Sequence, residues 1–95
     1  MASTPKITVI TRTKDRPRLL ARVAKGLELQ SYDSFEWLIV NDGGTAPEVK
    51  TVLHPRIINL PENLGRAGAA DRGLREAKGD YILFHDDDDS LDERA

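Results

Sequence analysis

Four short runs of β-branched and apolar residues alternate along the chain with stretches whose apolar positions recur at helical spacing. Runs of this kind, bounded by turn residues, are typical of strands. Strands that alternate with helices predict a parallel sheet joined by right-handed crossovers. The predicted strands cover residues 7–11, 36–40, 57–60 and 81–85. The predicted fold class is therefore α/β, with a mainly parallel sheet of about four strands flanked by helices.

The first predicted helix follows the first strand after a polar turn. Asp15 is the expected N-cap, and Pro17 fits the first helical turn because its missing N–H is not needed there. The helix is predicted from Arg16 to about Gln30, because large apolar residues recur at helical spacing: Leu19, Leu20, Val23 and Leu27. A short helix is also expected over residues 47–53.

The second main helix is predicted over residues 66–78 and carries small residues. Gly79 is the expected C′ residue that ends it. Small side chains near its start would let the helix lie close to a sheet. Helical spacing places four apolar residues on one face: Ala67, Ala70, Leu74 and Ala77.

Composition narrows the class of protein. A chain of 95 residues with 39% hydrophobic and 32% charged residues predicts one soluble domain at most. The net charge of −2 gives no global reason to expect a nucleic-acid or membrane partner. Cysteine is absent, which excludes disulfides and thiolate metal sites. Neither a membrane-spanning run nor a secretory signal is visible, and a cytoplasmic location is the expectation.

Four consecutive aspartates, Asp86–Asp89, come directly after the last predicted strand. Adjacent carboxylates repel one another, and a hard divalent cation with oxygen ligands relieves that repulsion. Mg²⁺ or Mn²⁺ typically takes one or two protein carboxylates and completes its shell with phosphate oxygens and water. The alternative interpretation is a solvated acidic loop. A calcium loop is disfavoured, because the position that needs glycine holds Leu91.

Polar residues also follow the other strands, and the carboxyl ends of parallel strands form one rim where ligands bind. Thr11, Asp42 and the aspartate run should meet there. Asp42 can accept a hydrogen bond from a base or a ribose hydroxyl, or it can bond within its own turn. Arg66 can neutralise a pyrophosphate, or it can be an ordinary surface arginine. His85 can join a metal shell, or it can be a structural histidine.

The motifs of several other enzyme classes are absent. The glycines at 65, 68 and 73 lack the spacing of the dinucleotide fingerprint, and the sequence contains no P-loop. No Ser-His-Asp arrangement is readable, and no catalytic residue is identified.

The order of motifs resembles family-2 glycosyltransferases with the GT-A fold. The opening strand followed by Asp15-Arg16-Pro17 resembles the start of that family, as does the segment Trp37–Gly44. So do the stretch from Asn63 to Ile82 and above all Phe84–Asp89, which resembles the Asp-x-Asp segment of the family. The resemblance covers nearly the whole chain and implies the Rossmann-like N-terminal half of a GT-A fold.

The resemblance implies roles at matching positions. Asp42 would contact the nucleobase, and Thr11, Arg12 and Thr13 would line the base pocket. Asp86 and Asp87 would lie near the ribose. Asp88, together with Asp86, would hold Mn²⁺ or Mg²⁺ bridging the donor diphosphate, and the metal would act as a Lewis acid on the leaving group. The expected donor is a nucleoside-diphosphate sugar, with a UDP-sugar favoured, and the acceptor is a carbohydrate or a lipid.

The sequence departs from the family at Ala70, where a basic residue is common, and in its length. Residues 1–95 are expected to form the donor-binding domain, a fragment that is inactive alone because the acceptor half and general base lie beyond it. One alternative is a non-catalytic nucleotide-binding or self-associating module, with homo-oligomers. Another is a sugar-phosphate nucleotidyltransferase, which is disfavoured because Thr11–Asp15 replaces its glycine-rich loop.

Overall fold

A computed structural model of the chain describes residues 6–29 and 34–87. These residues form four strands and two helices of 12 residues each. Neither helix is long and apolar enough to cross a membrane, and the same holds for all of the chain that the structure describes. The elements in chain order are β1 (Ile7–Thr13), α1 (Pro17–Glu28), β2 (Phe35–Asn41), β3 (Arg56–Asn59), α2 (Gly65–Glu76) and β4 (Tyr81–Phe84).

All four strands are parallel and lie in the order β3-β2-β1-β4. The chain moves outward from β1 through β2 to β3, and α2 then returns it across the sheet to β4. The strand order therefore reverses at β1, which places the switch point between the carboxyl ends of β1 and β4. The parallel α/β sheet predicted from the sequence is confirmed, and β1 and β2 each run further toward the carboxyl end than predicted.

One face of the sheet packs against α1 through large side chains. Leu20 and Trp37 are almost completely buried in a cluster with Val9 and Ile39. The other buried members are Val23, Ala24 and Leu27 of α1. Removing a side chain of leucine size from water stabilises the fold by about 1.5–3 kcal/mol, so this cluster is a main source of stability.

The other face packs against α2 through small side chains. Ala69 and Gly73 are the buried residues of α2, whereas Leu74 is 47% exposed. A Cβ atom added to Gly73 would lie 2.7 Å from Cγ2 of Ile10, so the helix backbone rests directly on β1. The four residues predicted to share one face are therefore not the buried ones: Ala67 and Leu74 are exposed, and Ala70 and Ala77 are half-buried. The expectation that small residues near the start of the helix let it lie close to the sheet agrees with the burial of Ala69.

Three local predictions are also wrong. Asp15 is not the N-cap of α1: Arg16 takes that position, and Asp15 has a φ of 52° while its carboxylate accepts a hydrogen bond from the backbone N–H of Thr45 at 2.8 Å. Residues 47–53 form no helix. Gly79 is not a C′ residue, because α2 ends at Glu76; it donates its backbone N–H to the Thr8 hydroxyl instead.

A polar network closes the amino end of the sheet. The Glu36 carboxylate accepts hydrogen bonds from the Thr8 hydroxyl and the Lys78 backbone N–H, both at 2.6 Å, and from Arg56 at 3.0 Å. Arg56 also donates to the Glu76 carbonyl at the end of α2. Burial alone would raise the pKa of Glu36, but these hydrogen bonds and the charge of Arg56 outweigh it and lower the pKa from its ordinary value of 4.5.

Candidate functional site

The carboxyl ends of β1, β2 and β4 meet at the switch point, as the sequence predicts for a parallel sheet. Side chains on a strand alternate between its two faces, so the rim has an α1 face and an α2 face. Arg12, Asp42 and Asp86 lie on the α2 face, and Thr13 and Asp87 lie on the α1 face. The structure therefore brings the predicted residues to one rim but divides them between its two sides.

Asp42 lies on the α2 face and has no exposed side-chain surface. Its Oδ1 accepts a hydrogen bond from the Leu64 backbone N–H at 2.7 Å, and its Oδ2 accepts one from the Gly65 N–H at 3.1 Å. Arg12 donates its Nε to the same Oδ2 at 2.9 Å. The carboxylate thus joins the ends of β1 and β2 to the first turn of α2.

A cleft of about 350 Å³ opens beside this contact on the α2 face. The Arg12 guanidinium lines it, with a side chain that is 29% exposed. Arg66 lies within 3.3 Å of the Asp86 carboxylate, so the cleft carries two cations and one anion. The other lining residues are Ile10, Ala69, Ala70 and Phe84. Small side chains at 69 and 70 leave space for a ligand between the helix and the strand end.

Asp87 turns to the α1 face and is 5% exposed. It accepts a hydrogen bond from the Thr13 hydroxyl at 2.9 Å and forms an ion pair with Arg16 at 3.2 Å. These contacts hold Asp87 against the end of β1 and the turn between β1 and α1. A second cleft of about 450 Å³ lies on this face, lined by Thr13, Arg16 and the segment from Thr45 to Glu48 among others.

Thr11 and His85 lie inside the protein. The Thr11 hydroxyl is fully buried and accepts a hydrogen bond from the Trp37 indole at 2.9 Å, which places it in the core between β1 and β2. The His85 ring is 5% exposed, with its Nδ1 3.0 Å from the Asp86 carbonyl oxygen. Within the described residues its Nε2 has no hydrogen-bond partner.

Asp86 is the described carboxylate that fits a divalent metal. It lines the α2-face cleft and keeps 26% of its side chain exposed, whereas Asp42 and Asp87 are enclosed by protein donors. No three metal-ligating side chains cluster within residues 6–29 and 34–87. One exposed carboxylate matches an ion such as Mg²⁺ that takes most of its ligands from phosphates and water. The predicted ligand Asp88 lies outside the described residues.

Two residues near the site were not among the predicted site residues. Arg16 holds Asp87, and Asp15 holds the Thr45 loop on the α1 face. Both belong to the polar turn after β1, whose position at the carboxyl end of a strand was readable from the sequence. Their partners are 30 and 71 residues away, and no local pattern reveals pairs at that separation.

Comparison with known proteins identifies the family. The model of glycosyl transferase family 2 matches residues 8–95. The uncharacterized glycosyltransferase YwdF of Bacillus subtilis is 34% identical over 88 residues, which cover 88% of this chain and 33% of YwdF. The GalNAc(5)-diNAcBac-PP-undecaprenol beta-1,3-glucosyltransferase of Campylobacter jejuni is 32% identical over 92% of this chain and 31% of its own length.

The crystal structure of TarS from S. aureus has the same fold, with a TM-score of 0.75, 23% sequence identity and coverage of 93% of this chain and 17% of the TarS chain. The α/β architecture predicted for the N-terminal half of a GT-A fold is thereby confirmed. The chain spans about a third of the length of the two curated relatives. Its sequence match and its parallel sheet agree: this chain belongs to glycosyl transferase family 2.

Proposed function

We propose that this chain is the nucleotide-sugar-binding part of a metal-dependent glycosyltransferase, and that the α2-face cleft holds the donor diphosphate. The observation that carries the proposal is the convergence of Arg12, Arg66 and Asp86 on one cleft at the switch point. Its volume of about 350 Å³ lies within the usual range for a small-molecule site. Membership of the family supports a role in glycosyl transfer.

Each residue of the cleft has a task in this proposal. Arg12 and Arg66 supply guanidinium donors to anionic oxygens, and their charge offsets that of the diphosphate. Asp86, with Asp88 as the second ligand proposed from the sequence, holds Mn²⁺ or Mg²⁺. The bound ion would supply Lewis-acid stabilisation of the leaving nucleoside diphosphate. Thr13 and Asp87 fix the acidic segment on the opposite face, and Thr11 supports the core.

The donor and acceptor follow from the relatives as proposals. A UDP-sugar is the proposed donor, as the resemblance implies. The name of the Campylobacter relative specifies transfer of glucose to a saccharide linked to undecaprenol, which supports a carbohydrate or lipid-linked acceptor for the longer protein. A cytoplasmic location stays a prediction.

Thermal unfolding with and without ligand tests the proposal. A nucleoside diphosphate at about 100 times its Kd should raise the Tm by roughly 10–20 °C, since binding to the folded state alone stabilises it by mass action. UDP and GDP should give this shift only with Mn²⁺ or Mg²⁺. Absence of a shift for every nucleotide with metal would contradict the proposal.

Asp86→Asn is the matched variant, because it removes the proposed metal ligand while keeping the size of the side chain. It should abolish the dependence of binding on metal. Asp80→Asn is the control, since Asp80 is an exposed aspartate that precedes β4 at the opposite end of the strand. A metal-dependent shift that survives in Asp86→Asn would show that the metal lies elsewhere.

A second candidate function is self-association through β4. This strand lies at the edge of the sheet, and three apolar side chains on it are exposed: Tyr81 by 63%, Leu83 by 50% and Phe84 by 50%. Exposed apolar edges favour pairing between chains. Sedimentation at several protein concentrations tests it: a dimer that Leu83→Lys dissociates supports self-association, and a monomer at every concentration excludes it.

A further inference from the structure

We propose that the outer surface of α1 docks on an anionic phospholipid membrane and so brings the rim of the sheet to a lipid-linked acceptor. This α1 outer surface consists of three cations and two exposed aliphatic side chains: Arg18, Arg22, Lys25, Leu29 and Val52. The inference rests on the proposed function, because a lipid-linked acceptor is held at a membrane.

The three cations form one stripe along α1. Arg18, Arg22 and Lys25 follow one another at spacings of four and three residues, which places them on one side of the helix. The opposite side is the buried one, formed by four apolar residues: Leu20, Val23, Ala24 and Leu27. All three cations are exposed. Among the residues that the structure describes, none of the three has an ion-pair partner.

The stability of α1 does not explain this stripe. Like charges four residues apart on a helix repel each other, and Arg18 and Arg22 have that spacing. Arg18 also lies in the first turn, where the positive end of the helix dipole disfavours a cation. The outer surface of α2 differs, because there Arg75 pairs with Asp71. An anionic partner would compensate the charge of the stripe, as Asp71 does for Arg75.

Two exposed aliphatic side chains lie at the carboxyl end of the stripe. Leu29 directly follows α1 and is 85% exposed, and Val52 is 79% exposed. The Thr51 hydroxyl donates to the carboxylate of Glu28, the only acid of α1, at 2.6 Å and so holds the segment of Val52 against the end of the helix. Cations beside aliphatic side chains are typical of surfaces that bind at a membrane interface. A nucleic acid offers the cations phosphates but no apolar layer, so this composition favours a membrane.

This docking mode leaves the donor cleft open to water. The cleft lies on the α2 face of the sheet, whereas α1 covers the other face. The stripe starts beside the rim, because α1 begins directly after the turn at the carboxyl end of β1. A nucleotide sugar can therefore enter the cleft from water while a saccharide linked to a membrane lipid approaches the rim from the membrane side.

Vesicle binding at low ionic strength tests the surface. The 95-residue chain is titrated with vesicles of phosphatidylcholine alone and with vesicles that also contain phosphatidylglycerol, which is anionic. The wild-type chain should bind only the anionic vesicles, and added salt should weaken the binding. Each cation near an anionic leaflet contributes about fivefold in affinity. The triple variant Arg18→Gln, Arg22→Gln, Lys25→Gln should therefore lose on the order of 100-fold.

A second triple variant is the matched control. It removes the same charge from exposed positions on and directly after α2: Arg72→Gln, Arg75→Gln and Lys78→Gln. Its affinity for anionic vesicles should stay within about threefold of the wild-type value, because these cations face away from the bound membrane. Equal losses in the two triple variants would show an effect of net charge alone and overturn the inference.

A fluorescent label tests the orientation with every cation in place. The chain contains no cysteine, so a single introduced cysteine can carry an environment-sensitive fluorophore. Ala21→Cys places it on the exposed side of α1, and Leu74→Cys places it on the exposed side of α2. Anionic vesicles should shift the emission to shorter wavelength at position 21 and leave it unchanged at position 74. The reverse result overturns the inference, also where a triple variant does not fold.

The remaining outcomes separate this inference from the proposed function. A wild-type chain that binds UDP with Mn²⁺ but no anionic vesicle overturns the inference and leaves the proposed function standing. A chain that binds anionic vesicles through α1 but no nucleotide removes the proposed function and supports the docking surface. Equal binding to both kinds of vesicle overturns the inference, as does tighter binding to an oligonucleotide at the same phosphate concentration.

Discussion

Each end of β2 carries a carboxylate that accepts a backbone N–H and pairs with an arginine. Glu36 and Asp42 lie on the same face of the strand: Glu36 accepts the backbone N–H of Lys78, two residues after α2, and Asp42 accepts that of Leu64, the N-cap of α2. Each also pairs with an arginine from a neighbouring strand, Arg56 of β3 and Arg12 of β1. One strand therefore holds a helix at both of its ends, with a carboxylate and a guanidinium at each.

The two ends differ in what surrounds the guanidinium of the arginine. Arg56 donates Nη2 to both the Glu36 carboxylate and the Glu76 carbonyl, so that nitrogen bonds within the protein. Arg12 presents its terminal nitrogens at a cleft instead. The same pairing of a carboxylate with an arginine therefore holds the protein together at both ends of β2, but only at the carboxyl end does the arginine also line a cleft.

Removing the carboxylate at the binding end should have the largest effect. Asp42→Ala leaves two helix N–H groups and Arg12 without their shared acceptor, and it should lower the free energy of unfolding by about 3–5 kcal/mol. Small domains have a stability of roughly 5–15 kcal/mol, so a large share of it would be lost. Urea unfolding followed by Trp37 fluorescence measures the loss, with Asp80→Ala as the control. A loss below about 1 kcal/mol would contradict the conclusion that Asp42 holds the start of α2 and Arg12 together.

Glu36→Gln should have an intermediate effect. Its arginine partner is 40% exposed, so water compensates part of the lost interaction. The free energy of unfolding should fall by about 1–3 kcal/mol in the same urea experiment. A loss larger than that of Asp42→Ala would reverse the ranking of the two ends.

Acidification should weaken the contacts of Glu36 at the amino end of β2. The folded state lowers the pKa of Glu36, so its contribution is present above the ordinary pKa of 4.5 and is lost as the pH falls through the lower folded value. Below pH 4.5, wild-type stability should therefore fall more steeply than that of Glu36→Gln. Urea titrations at several pH values between 6 and 3 give both curves, and parallel curves would exclude this role of Glu36.

We expect the smallest effect from an ion pair on the outer surface of α2. Arg75 and Asp71 form an ion pair on its outer surface, where both side chains are more than half exposed. Exposed pairs of this spacing contribute about 0.3–0.5 kcal/mol. Asp71→Asn should stay within that range in urea unfolding. A larger loss would mean that the outer surface of α2, rather than its ends, carries part of the stability attributed to Glu36 and Asp42.

Much of the fold could be predicted from the sequence, because strands and helices leave local patterns of apolar residues. The β-branched runs around Val9 and Ile39 predicted strands, and their alternation with helices predicted the parallel sheet and the rim. The buried face of α2 could not be predicted from periodicity, because Gly73, which contacts Ile10 there, has no apolar side chain for such a pattern to detect. The separation of Asp86 from Asp87 could have been derived by continuing the alternation beyond Phe84.

The hydrogen-bond partners of the side chains in the site could not be predicted from the sequence. Asp42 meets Leu64 and Gly65 across more than 20 residues, and a turn aspartate with this neighbourhood looks the same in sequence whether it bonds its own loop, a ligand or a distant helix. The local sequence predicts which types of side chain lie at the rim. Only the three-dimensional structure shows which donors each of these side chains binds.

Asp86 and Asp87 point to opposite faces of the sheet. The number of residues between Phe84 and these aspartates therefore matters to their contacts as much as the residue types do. Asp86 meets Arg66 on one side of the sheet, and Asp87 meets Thr13 and Arg16 on the other. One extra codon between Phe84 and Asp86 would exchange the sides that the two acids face, even though every acidic residue would survive. Insertions and deletions of a single residue should therefore be far less tolerated here in evolution than substitutions.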